Sequence, residues 1–160
     1  MELLLAVALV AVLLAAIAVA TNASLTAYEE NVESASLSQT ARVMEARIRR
    51  EIRTAESIDP AAQSNRLAYF QPGDANEYVY EYTSATRTLV FQRKKGTTTV
   101  SQTIFDAASP VKLDAFTVSR TVSSDANACT LHVRVQMLFS MDNQTFPAFC
   151  SAAVRRNQEY

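Results

Sequence analysis

Two changes of hydrophobic period divide this chain. From Leu3 to Ala20 every position is apolar (LLLAVALVAVLLAAIAVA), and a single acid, Glu2, stands ahead of the run. Further on, Leu37, Ala41, Met44, Ile48, Ile52, Ala55 and Ile58 recur at steps of three and four, which keeps one helical stripe apolar. Arg42, Glu45, Arg49, Arg50, Arg53 and Glu56 fall mostly off that stripe, with Glu45 and Arg49 spaced i, i+4 in the supporting order. No Gly or Pro occurs before Pro60, so nothing interrupts a helix until then. The pattern predicts one helix over 1–59, with a membrane or filament-core part (1–27) built on the apolar run and an amphipathic part (28–59). At roughly 1.5 Å per residue such a rod would be on the order of 80 Å long, too long to bury inside one small globule. Its greasy part must therefore find lipid or other chains.

Asp59-Pro60 reads as the helix stop, because a proline pushes the residue before it out of the α region. Pro60 to Ala75, with Gln71-Pro72-Gly73-Asp74, reads as an irregular connection. From Glu77 the period falls to two. Glu77–Thr83 and Arg87–Arg93 read as strands, joined through a hairpin at Lys94-Lys95-Gly96-Thr97 to a third over Thr98–Phe105. Ser109-Pro110 interrupts the pattern, and Leu113–Val122 resumes it. Ser123–Ala128 reads as a turn. Cys129–Phe139 then alternates cleanly, with Leu131, Val133, Val135 and Met137 on one face and His132, Arg134 and Gln136 on the other. A turn at Asp142-Asn143 precedes a last strand, Thr145–Val154. The expected fold is α+β: a meander of five or six antiparallel strands forming a single sheet over 60–160, with the Leu37–Ile58 stripe docked on its apolar face and the greasy half of the helix protruding.

Composition narrows the function. A formal net charge of -1 gives no support for general nucleic-acid binding. An apolar run of about 18 residues is at the lower limit for a membrane span. With Glu2 at the start and no Lys or Arg before Arg42, an ordinary signal peptide is not expected. The expectation is an uncleaved anchor, or a chain whose basic leader has been removed. The two cysteines, Cys129 and Cys150, both fall in the part expected outside the cytoplasm, where a disulfide is the default and free buried thiols the alternative.

The start Met1-Glu2-Leu3-Leu4-Leu5-Ala6-Val7-Ala8-Leu9-Val10 resembles the type IV pilin and type II secretion pseudopilin family, whose motif is a glutamate followed by an apolar helix. Arg42 to Ile58 is similar to the charged helix stretch of minor pseudopilins of the J type. Thr88-Leu89-Val90-Phe91 and the tail Val154-Arg155-Arg156-Asn157 also resemble them. The family's leader and cleavage glycine are not seen ahead of Glu2, as expected of a chain that begins late or has an atypical start, and no Gly or Pro of the kind that lets many members' helices melt locally occurs before Pro60. The resemblance implies a pilin-like fold and a filament subunit, held in the inner membrane before assembly and in an extracellular or periplasmic filament afterwards. It implies a homo-oligomeric helical filament with other pilins as partners, served by an assembly ATPase and a leader peptidase. It also implies that Glu2 pairs with the amino terminus of a neighbouring subunit, with Leu3, Leu4, Leu5, Leu9 and Leu13 in the packed helix core. Headgroup solvation of Glu2 at a membrane surface is the alternative.

Other chemistry is sparse. Cys129 and His132 supply two ligand types on one strand, short of a zinc set, and their parity puts them on opposite faces. One histidine and no nucleophile elbow leave little for catalysis, so no enzyme, metal or cofactor is expected. Arg42, Arg47, Arg49, Arg50 and Arg53 form a basic helix cluster, either a solvated face or a partner for Glu29, Glu30 and Glu33 of an adjacent subunit. Arg93, Lys94 and Lys95 read as a soluble hairpin tip. Tyr78, Tyr80 and Tyr82 share one strand face, for packing or a subunit contact. Asn22-Ala-Ser24 and Asn143-Gln-Thr145 match the glycosylation acceptor pattern, Asn143 being better placed in a turn. A membrane-anchored extracytoplasmic binding module and a minor tip pilin that initiates assembly or adheres remain alternatives to a shaft subunit.

Overall fold

The first of the two periods builds α1, a 53-residue helix over Glu2–Thr54. The structure, a computed structural model, describes residues 1–59, 62–125 and 128–156, without the side chains of 124, 125, 128, 129, 155 and 156. Eight strands follow: β1 (Ser57–Ile58), β2 (Arg66–Phe70), β3 (Glu77–Thr83), β4 (Thr88–Lys95), β5 (Thr98–Phe105), β6 (Lys112–Asp125), β7 (Ala128–Met141) and β8 (Gln144–Arg156). The fold is α+β, a long N-terminal helix packed on antiparallel sheet.

The strands form two sheets, ordered β1-β2-β3-β4-β5 and β6-β7-β8, where the sequence pattern suggested one. The break falls at Asp106–Val111, the segment that Ser109-Pro110 interrupts. Two further expectations are corrected. The helix ends at Thr54, and Ile58 sits in β1 opposite Tyr69. The segment read as irregular contains β2, whose Leu67, Ala68 and Tyr69 are all buried. Pro60, expected as the helix stop, and Ala126 and Asn127 of the expected turn lie outside the described residues. So does Asn157.

The chain divides into two compact units, Met1–Ser36 and Leu37–Tyr160. The second unit contains one core. The stripe Leu37, Ala41, Met44, Ile48, Ile52, Ala55 and Ile58 is buried throughout, as its spacing predicts. It packs with Tyr69, Tyr80 and Leu89 of the first sheet and with Val135, Met137 and Phe139 of the second. On β7 the alternation holds, with Leu131, Val133, Val135 and Met137 buried and His132 and Arg134 exposed.

Polar groups fix this packing. Tyr69 Oη donates to Glu51 Oε2 at 2.8 Å, and Arg47 Nε donates to Glu51 Oε1 at 3.2 Å. The Arg47 guanidinium lies 5.2 Å from the Phe91 ring centre and 5.8 Å from that of Tyr80. Burial, then the Glu51 charge, pushes the Tyr69 hydroxyl well above the ordinary tyrosine range, so it stays a donor. Tyr82 Oη reaches the carbonyls of Leu113 at 2.9 Å and Asp114 at 2.8 Å, tying the first sheet to the second. From β6, Arg120 donates to the carbonyls of Ala62 and Arg66 and holds the segment ahead of β2. Gly96, at φ +56°, opens the two-residue β4–β5 turn, a backbone conformation that side-chain-bearing residues rarely adopt.

Candidate membrane and assembly surface

The unit Met1–Ser36 buries none of its side chains. Between Leu3 and Val19, eleven large apolar side chains are each more than half exposed. Leaving each in water forgoes about 1.5–3 kcal/mol, so the total is on the order of 20 kcal/mol. That exceeds the roughly 5–15 kcal/mol that holds a whole domain together. Leaving this surface in water is therefore strongly unfavourable. Over the same residues the apolar character runs all the way round the helix, as a lipid-facing span or a member of a helix bundle requires. By length and composition this helix can cross a membrane.

The uncharged length is greater than the run Leu3–Ala20 suggests. Thr21 Oγ1 donates to the Ile17 carbonyl at 2.9 Å, Ser24 Oγ to that of Ala20 at 2.9 Å, and Thr26 Oγ1 to that of Asn22 at 3.1 Å. Each hydroxyl proton is thus satisfied inside the helix and does not need water. No charge occurs from Leu3 to Tyr28, a stretch of about 39 Å at about 1.5 Å per residue, against about 30 Å of bilayer hydrocarbon. Tyr28 and then Glu29 and Glu30 close it, an aromatic ring and carboxylates suited to a headgroup boundary. The sequence pattern already extends the membrane or filament-core part to residue 27. What carries it past Ala20 is Ser and Thr hydroxyls, each bonded to the carbonyl four residues earlier in an unbroken helix.

Glu2 lies in the first turn of α1, where a carboxylate is favoured by the helix dipole. Glu2, Leu5, Leu9 and Leu13 follow at steps of three and four and form one stripe, with Leu3 and Leu4 beside it. All six residues expected in assembly are exposed and within one unit.

The remaining candidates scatter. Of the basic cluster, Arg47 is committed to Glu51 and two rings, and Arg49 to Glu45, while Arg42, Arg50 and Arg53 are exposed. Tyr80 and Tyr82 pack in the core; Tyr78 Oη donates to Asp74 Oδ2 at 2.6 Å. Asn143 is exposed in the β7–β8 turn, whereas Asn22 sits within the uncharged stretch of α1. Among the described residues no three His, Cys, Asp or Glu side chains group as metal ligands.

The expected Cys129–Cys150 disulfide is corrected. Cys150 is a buried free thiol. Register sets it opposite Val135, whereas Cys129 is opposite Arg156, six positions farther along β8. That separation is about 20 Å along the strand, against about 4.4–6.8 Å between Cα atoms in a disulfide. Burial, then the Glu45 carboxylate, pushes the Cys150 thiol up to about 11.

Compared with known proteins, the chain matches no family model, no curated protein and no solved structure.

Proposed function

We propose that this chain is a structural subunit of a type IV pilus-like or pseudopilus filament, polymerising through the apolar part of α1. One observation carries the reading: a single helix docks one stretch on its own sheets and leaves an entirely apolar stretch uncovered. A bilayer covers that stretch before assembly. Sister helices, and those of other pilins, cover it afterwards, so subunits leave lipid without exposing apolar surface to water. Glu2 is then carried into an apolar setting, where an unpaired carboxylate is costly. The amino terminus of a neighbouring subunit is the partner of opposite charge that relieves this. On this reading the chain is a non-enzymatic component of the inner membrane, later of an extracellular or periplasmic filament, and a separate ATPase and a leader peptidase act on it.

The second reading, an anchored binding module, is favoured by the extended uncharged stretch through Tyr28, which suits permanent residence in a bilayer. Replacing Glu2 by Ala separates the two. Polymerisation predicts that filaments sheared from the cell surface disappear from negative-stain images while the thermal melt of the domain is unchanged. Filaments formed normally by Glu2→Ala would refute the role given to that carboxylate. A chain found only in the membrane, in wild type and variant alike, selects the anchor.

A further inference from the structure

The outer side of β5 is an open sheet edge: β4 pairs with its inner side, and among the described residues no strand pairs with the other. Such an edge presents unpaired N–H and C=O groups, and proteins ordinarily guard it with lysines, proline or a covering element. β5 (TTVSQTIF) contains no charge and no proline, and Thr98 to Thr103 are exposed on both faces of the strand. The edge strands of the second sheet differ. β8 carries Pro147, and β6 carries Lys112, Asp114 and Arg120. Val100, 56 % exposed, adds an apolar side chain to the unguarded edge.

We propose that β5 is a pairing strand for β5 of a second copy of this chain, antiparallel and centred on Ser101. Charge decides the direction. The strand begins at a cationic hairpin, Arg93 to Lys95, and ends at Asp106. Antiparallel pairing lays the cationic tip of each copy beside the Asp106 of the other, whereas parallel pairing stacks two cationic tips. The two-fold operation also preserves faces, so residues opposite one another must share parity. Centring on Ser101 sets Val100 opposite Gln102 and Thr99 opposite Thr103, with no like charges opposed. An interface this narrow is weak between dilute partners, below the roughly 1,200 Å² of stable complexes. It gains from the high effective concentration of subunits already gathered through α1, and so rests on the proposed polymerisation.

Ser101→Cys tests the pairing in the full chain within intact cells that produce it, where α1 can gather the subunits. On mild oxidation, strand pairing places the two introduced thiols at cross-strand distance. The expected result is a dimer linked 101 to 101 by peptide mass, at least tenfold above that from Thr145→Cys on β8 and absent from the wild type. Adding Val100→Lys and Gln102→Lys should remove it while leaving the melt of the domain unchanged. Equal linking by Ser101→Cys and Thr145→Cys, or linking that survives both lysines, overturns the pairing. Polymers without the 101–101 link overturn the pairing and leave the proposed function standing. Linked dimers from a chain that never polymerises do the reverse.

Discussion

Residues 3–20 and 37–54 belong to one helix and are both supplied with Leu, Ile, Val or Met, yet only the second stretch buries side chains in its own chain. The first is the more apolar of the two. What differs is arrangement: apolar residues surround the helix in the first stretch and line a stripe in the second. A stripe is complementary to one sheet face and can be completed within the molecule. An all-round surface needs a surrounding medium, and among the described residues the chain provides none. Apolar character therefore marks where covering is needed, and periodicity marks whether the chain itself can supply it.

Single truncations should separate the two stretches most sharply. Ile48→Ala removes a fully buried side chain from the core and should lower domain stability by about 2–5 kcal/mol in urea denaturation. Leu9→Ala should leave that curve within about 0.5 kcal/mol. Equal losses at both positions would break the comparison. Leu13→Arg should oppose membrane insertion by about 2.5–3.5 kcal/mol, read as the fraction of chain floating with vesicles, with the melt of the domain unaltered.

A smaller effect follows from the thiol in the core. Cys150 should resist alkylation in the native chain near neutral pH and react on unfolding without reductant, since it is free. The unfolded chain deprotonates this thiol near 9, the native chain only near 11, so the native state binds more protons between those values. Stability should therefore fall as pH rises through that window, by up to about 1.4 kcal/mol per unit from this group. Cys150→Ala should flatten the part of the slope that belongs to it. Smallest is Tyr69→Phe, which removes the hydroxyl donor to Glu51 and should cost about 0.5–1.5 kcal/mol by denaturant titration.

The helical stripe and the alternation of β7 were legible because each is half-buried, and a half-buried element writes its period into the sequence. β2 was not legible for the same reason in reverse. Leu67, Ala68 and Tyr69 are buried in succession, so both faces of that strand are covered and no period of two survives. Ile58 kept the helical spacing although it lies in a strand, because both elements turn their apolar side chains to one core. The disulfide was misjudged from compartment alone, although the turn at Asp142-Asn143 contained the answer. Residues equidistant from that turn are partners, which gives Cys150 to Val135. The exposed apolar surface of α1 was legible as the uninterrupted run Leu3–Ala20. Among the described residues nothing covers that surface.

Cross-linking through Leu9→Cys, in intact cells that assemble the protein, asks most directly what covers residues 3–20. Filament material sheared from those cells should contain chains with the full N-terminal segment, joined to one another through position 9. Chains found solely as monomers, with position 9 reached by lipid-phase reagents and never by another subunit, would contradict the account.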